Sequence, residues 1–379
     1  MNNDVIVTGR EIKKLFKKYP LVRLAISVTN CCNLRCIHCS QNAGNALKEE
    51  YSISDLKQII KDTCDEGLCT VGITGGEPTI RKDLLSIMRY ADRKDISLVL
   101  NTNGTLITRK MAKDISKLSN LRIVAVSLDG SNPKTHDNIR GVSRAFSRTI
   151  KGIKNLVSEG VEVTLAYTIM NRNKGEIEDL IKLAKKLKVS IVRFLFMENF
   201  GRAKTNSEEI VPYLERRNII ARINRLYKKY KKNLTIWVYA PPSLLPKFLR
   251  DSMPYTAGCL PGVTICDLLA DGTMYPCLGL VDFPEMKIGN VLDKNILKLW
   301  NGSKVLTQFR KVTPQKLKGV CRDCYFLLNC MGHCRAAAYT FGGSIFAPNP
   351  WCQEYFDNNK FPKKYYKKGR LKIRDRKTS

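Results

Sequence analysis

The sequence predicts an α/β protein: a partial, open (β/α)6 barrel followed by a small cysteine-rich domain. Six apolar, β-branched runs recur at residues 21–29, 70–74, 97–101, 123–128, 161–169 and 189–197. Helical patterns separate most of them, and such alternation builds a parallel sheet with helices outside. Six units rather than eight leave the barrel open. Beyond the last run, eight of the fourteen cysteines crowd between Cys259 and Cys352.

The first run leads into the loop Cys31-Cys32-Asn33-Leu34-Arg35-Cys36-Ile37-His38-Cys39. Ser54 is placed to cap a helix that ends before Gly67 and carries Leu56, Ile59, Ile60 and Cys64 on one face. The second run closes in Thr74-Gly75-Gly76-Glu77-Pro78. Residues 82–93 carry Leu84, Leu85 and Met88 on the next helix. Phe146, Ile150, Ile153 and Val157 line another, and Ile177, Leu180, Ile181 and Ala184 one more. After Met197 the pattern changes: 216–232 reads as a basic helix, and Pro241, Pro242 and Pro246 punctuate a connecting stretch. The expected organisation is an N-terminal extension (1–20), the barrel (21–235), a linker (236–254), the cysteine-rich domain (255–356) and a basic tail (357–379).

A chain of 379 residues buries a full core, and 44% hydrophobic residues with scattered charge argue for a globular protein. No apolar run approaches a membrane span, and the start lacks a signal peptide's basic and apolar segments. The expectation is a cytoplasmic protein without membrane attachment. Cysteines in such a chain point to metal rather than disulfides. Cys31, Cys64 and Cys69 lie outside the motifs and read as buried small hydrophobes. The net charge is +31, of which the tail 361–379 holds nine Lys/Arg against Asp375 alone. A solvated, lysine-rich surface explains this charge as well as attraction of acidic partners does. No nucleic-acid recognition motif accompanies it.

The spacing Cys32-x3-Cys36-x2-Cys39 puts three thiolates on one short loop, one fewer than a cubane of four irons takes, so one iron stays open. In Gly75-Gly76-Glu77-Pro78 the glycines let the backbone approach a ligand, and the carboxylate can accept from an ammonium. Together, in this order and at strand ends, the two motifs resemble the radical S-adenosylmethionine (radical SAM) superfamily. The resemblance implies a TIM-like partial barrel, with a 4Fe-4S cluster on Cys32, Cys36 and Cys39. It implies S-adenosylmethionine held by Gly75, Gly76, Glu77 and Pro78 through its methionyl amino group. Ser127 and Arg140 would contact its carboxylate or ribose, and His38 would lie near the adenine. A turn residue and a surface ion pair are the alternatives for Ser127 and Arg140.

Downstream, Cys259-x12-Gly272-x4-Cys277, then Cys321-x2-Cys324-x5-Cys330-x3-Cys334, then Cys352, resemble the SPASM domain of radical SAM enzymes. The resemblance implies two auxiliary 4Fe-4S clusters, one on Cys259, Cys266, Cys277 and Cys334, the other on Cys321, Cys324, Cys330 and Cys352. If Cys266 is not a ligand, the first auxiliary cluster keeps an open iron. Zinc is the competing occupant, since Cys-x2-Cys pairs also build zinc ribbons.

The implied chemistry is reductive cleavage of S-adenosylmethionine to a 5′-deoxyadenosyl radical that takes a substrate hydrogen, with no catalytic side chain evident beyond the cluster and cofactor pocket. The resemblance first implies oxidation or crosslinking of a ribosomal peptide. Leu278, where anaerobic sulfatase-maturing enzymes carry an aspartate, argues against formylglycine formation. Little sequence before Leu21 is expected to house an N-terminal peptide-recognition domain, which weakens the peptide reading without removing it. The second reading is side-chain modification of a tetrapyrrole on a haem-like route, which Cys330-Met331-Gly332-His333-Cys334 also resembles. The third is a zinc-stabilised binding protein. The expected reductant is an acidic electron donor such as ferredoxin or flavodoxin.

Overall fold

The computed structural model describes residues 19–64, 67–232, 234–252 and 259–366. Expectations for 1–18, for the domain onset near Tyr255 and for most of the basic tail lie outside these residues.

All six runs form strands, with helices between them. The order is β1 (Arg23–Ser27), α1 (Ile53–Cys64), β2 (Thr70–Thr74), α2 (Leu84–Asp92), β3 (Ser97–Thr102), α3 (Arg109–Ile115) and β4 (Leu121–Ser127). Then come α4 (Pro133–Arg140), α5 (Ala145–Ser158), β5 (Val163–Ile169), α6 (Ile177–Lys186) and β6 (Ile191–Phe196). Neighbouring strands pair in parallel from β1 to β6. The cap of α1 is Ser52, not Ser54: Asp55 N donates to Ser52 Oγ and Ser52 N donates back to Asp55 Oδ2. This reciprocal box outcompetes a serine already inside the helix.

After α7 (Tyr213–Tyr230) a seventh strand, β7 (Thr235–Val238), pairs in parallel with β6. The stretch expected as a linker therefore begins in the sheet and contains a short helix, α8 (Lys247–Asp251). Four residues between a charged helix and a proline cluster give too short a run to read as a strand. β8 (Ile265–Leu268) then docks in parallel on the free edge of β1, and β9 (Thr273–Tyr275) and β10 (Gly289–Asn290) follow antiparallel. Barrel and cysteine-rich segment thus share one ten-stranded sheet, ordered β10-β9-β8-β1-β2-β3-β4-β5-β6-β7. Five helices complete the chain: α9 (Ile296–Gly302), α10 (Lys304–Arg310), α11 (Leu327–Cys330), α12 (Arg335–Gly342) and α13 (Pro350–Asp357).

Side chains alternate across the strands. Leu24, Ile26, Val71, Leu98, Val124 and Phe194 enter a continuous core with Leu56, Ile60, Met88, Ile153 and Leu180 of the helices. The opposite face lines the lumen of the partial barrel with Ala25, Gly72, Ala125, Ser127, Ala166 and Arg193. Helix α13 is tied to the barrel by the buried Arg216, whose guanidinium lies 4.3 Å from the Trp351 ring and donates to Glu198 Oε1 at 2.5 Å. Cys64 packs against the core as expected, whereas Cys69 is exposed just before β2.

Candidate active site and metal centres

At the C-terminal ends of β1 and β2 the cysteine loop and the Gly-Gly-Glu-Pro turn are built against each other. Gly76 N donates to Thr29 O at 2.7 Å and Glu77 N to Cys31 O at 2.8 Å. A Cβ on Gly75 would stand 2.4 Å from Thr29 O, and one on Gly76 2.3 Å from Cys31 O. The glycines are required for this approach of two backbones. That constraint binds them to the cysteine loop directly, before any ligand is considered.

Glu77 is fully buried and accepts from Thr79 N (3.1 Å), Thr79 Oγ1 (2.5 Å), Thr102 Oγ1 (2.6 Å) and Asn103 N (2.6 Å). A carboxylate has about four acceptor sites. The side chain expected to take the cofactor's ammonium is thus a latch between the β2 turn and the end of β3. Its burial raises the carboxyl pKa, opposed by these hydrogen bonds.

Cys32, Cys36 and Cys39 come together on the loop with Leu34, Ala145 and Val142. Burial pushes the Cys32 thiol up to about 11 and also raises Cys36. Arg140, at the end of α4, donates through Nη1 to Cys36 Sγ at 3.4 Å and forms an ion pair through Nη2 with Asp129 Oδ2 at 2.6 Å, while its Nε has no hydrogen-bond partner. His38 Nε2 lies 3.3 Å from the same Asp129 oxygen. Burial lowers the pKa of His38 to about 4, opposed by the Asp129 carboxylate beside it. Burial would raise the Asp129 carboxyl, but Arg140 and His38 bring it below its ordinary value. Ser127 ends β4 on the lumen face, half-buried. His38 and Arg140 thus meet at Asp129, which sequence reasoning missed. Arg202 was missed too: it donates from Nε to Cys36 O and from Nη1 to Ala43 O, bracing the loop from beyond β6. Its signal was weak, an arginine in a stretch without periodicity.

Seven of the cysteines beyond the barrel strands form two further groups. Cys321, Cys324, Cys330 and Cys352 line one cavity together with Ser243 and Asn349. Cys259, Cys277 and Cys334 neighbour one another, and burial raises the thiols of Cys277 and Cys334. Cys266 does not join them. On β8 it points with Leu268 into the helix-covered core, fully buried, and its charged neighbours are Asp267 and Arg310 rather than thiols. Beside that set stands Asp267, whose carboxylate interacts with Cys259 and Cys277 and accepts from Leu278 N at 2.8 Å. Buried Arg335 lies among both groups and donates to Ile345 O and Ala347 O. The donor chemistry fits iron–sulfur clusters: three thiols at the barrel mouth, four around a cavity, and three beside a carboxylate, with a buried cation between the last two.

A parallel partial barrel with thiols gathered at its strand ends defines an enzyme of the iron–sulfur class. Residues 26–184 match the radical SAM superfamily, and residues 259–325 match the SPASM iron-sulfur cluster-binding domain. The chain belongs to the radical SAM superfamily and carries a C-terminal SPASM domain. It is 30% identical over 353 residues to the AdoMet-dependent heme synthase of Oleidesulfovibrio alaskensis, covering 88% of this chain and 87% of that protein. It is 26% identical over 343 residues to the mycofactocin maturase MftC of Mycolicibacterium smegmatis, covering 87% and 82%. Streptococcus suis SuiB bound to S-adenosylmethionine superimposes with a TM-score of 0.73 at 20% identity, over 90% of this chain and 79% of that one, a likeness of fold. This family membership sets aside the zinc-stabilised binding protein. No helix among the described residues is long and apolar enough to cross a membrane.

Proposed function

We propose that the chain is a radical SAM enzyme that oxidises a side chain of a tetrapyrrole held in the barrel lumen. One observation carries the reading: the strands around the cysteine loop place Ala25, Gly72, Ala125 and Ala166, with small side chains or none, on the lumen face. Such a face suits a flat, rigid substrate laid against the sheet. The heme synthase likeness supports the same substrate class and reverses the order of the two enzyme readings given by the sequence. A peptide is the second reading, favoured by the likeness to MftC.

The S-adenosylmethionine and iron–sulfur cluster, when bound, supply a 5′-deoxyadenosyl radical that abstracts hydrogen. Cys32, Cys36 and Cys39 would hold the cluster, with Arg140 placing positive charge against Cys36 and Arg202 fixing the loop backbone. The Gly75–Pro78 turn would position the methionyl end of the cofactor through its backbone, its shape held by Glu77. Ser127 would reach the cofactor from β4. The two further cysteine groups would hold iron–sulfur clusters able to take up the electron left on the oxidised substrate.

Anaerobically reconstituted protein should bind iron coproporphyrin III, followed by its visible absorption, and should form 5′-deoxyadenosine faster in its presence. Replacing Cys32, Cys36 and Cys39 together by Ala should abolish that formation while the two further cysteine groups keep their iron. No binding and no stimulation would overturn the tetrapyrrole reading. Cleavage that survives the triple change would remove this loop from the chemistry.

A further inference from the structure

Arg193 occupies the middle of β6 on the lumen face. The strand register places Ala166 of β5 beside it on one side and Trp237 of β7 on the other, with Ser127 of β4 beyond Ala166. Ser127, Ala166, Arg193 and Trp237 therefore form one row across four strands. At about 4.8 Å per strand, Arg193 stands about 10 Å from Ser127 and at the same depth.

Within this row two donors go unanswered. Arg193 Nε and Trp237 Nε1 are both buried and have no hydrogen-bond partner. Among the described residues Arg193 has no ion pair, and its guanidinium instead lies 6.0 Å from the ring of Tyr239, which is 46% exposed. Leaving such donors without an acceptor is costly, more so for a cation. Guanidinium and indole nitrogens only donate. The missing group must therefore be an acceptor, and an anion to answer the arginine. A carboxylate meets both demands, one oxygen for each side chain, and no row member is acidic.

We propose that Arg193 and Trp237 anchor a carboxylate of the substrate, the propionate of a tetrapyrrole; this rests on the reading of the preceding section. Ala166 leaves the way open between the anchor and Ser127. A propionate held at Arg193 sets which carbon of that side chain faces the cofactor, and Tyr239 offers a ring face at the open end of the row.

The test compares wild-type holoenzyme with Arg193→Gln, Arg193→Lys and Trp237→Phe, each titrated with iron coproporphyrin III and with its tetramethyl ester. Arg193→Gln should weaken binding of the acid about 10- to 100-fold and leave the ester unchanged, with Arg193→Lys between the two. Trp237→Phe should cost about 2- to 10-fold, again for the acid alone. Iron content and affinity for S-adenosylmethionine should not change, which separates an anchor from a packing role. If Arg193→Gln binds the acid as the wild type does, or loses acid and ester equally, the anchor is wrong while the tetrapyrrole reading stands. If the wild type binds neither compound, that reading fails and the propionate assignment goes with it.

Discussion

On β8, Cys266 turns its thiol into the helix-covered core while Asp267, one residue on, faces the lumen beside Cys259 and Cys277. The period of two in a strand decides between them, and spacing along the chain alone does not show it. The arrangement favours the reading in which Cys266 is not a ligand and the first auxiliary set holds three thiols. The expected consequence is that Cys266→Ala keeps its full iron and sulfide content, since it removes only a small buried apolar group. Cys334→Ala, by contrast, should lose roughly four irons. Iron per protein and the electron paramagnetic resonance spectrum of the reduced protein check both. Loss of iron from Cys266→Ala would return that thiol to the cluster. The other cysteines were easier to read: Cys32, Cys36 and Cys39 share one short loop, where sequence proximity already means proximity in space.

Between elements, Glu77 joins the turn after β2 to the end of β3 by accepting four hydrogen bonds. The sequence announced this glutamate through its motif but concealed what it holds, because Thr102 and Asn103 lie about 25 residues away. Glu77→Gln sets an amide N–H₂ against donors and should cost about 1–3 kcal/mol. Its urea midpoint should fall, and affinity for S-adenosylmethionine should fall with it as the turn loosens. Full affinity with unchanged stability would refute the latch. The six strands expected from apolar runs were legible because each is flanked by turn residues and a periodic helix. β7 was not, being four residues long beside a proline cluster, and neither was the docking of β8 on β1, since strand partners distant in sequence leave no local pattern.

At the scale of the whole molecule the excess of positive charge is spread over the chain, with only a part of it in the tail. If an acidic flavodoxin or ferredoxin delivers the electron, raising salt should slow 5′-deoxyadenosine formation, as the Debye length falls to about 8 Å at physiological ionic strength. A small chemical reductant should show no such dependence. Removing residues 367–379, and keeping Phe361, Tyr365 and Tyr366 that pack on the core, should leave most of the salt effect, because the rest of the chain carries most of the charge. An equal response with both reductants would exclude electrostatic docking.

The pairing of Arg23 with Ile265 closes a separation of 242 residues. During synthesis, at about 5–20 residues per second, the outer edge of β1 would wait roughly 12 to 50 s for its partner to emerge from the ribosome. Throughout that interval an unpaired strand rich in Leu24, Ile26 and Val28 offers free backbone N–H and C=O groups to any neighbouring chain. Nascent barrels therefore carry a sticky border that mature ones have lost, and production of this protein should be limited by chaperone capacity and crowding on polysomes more than by final stability.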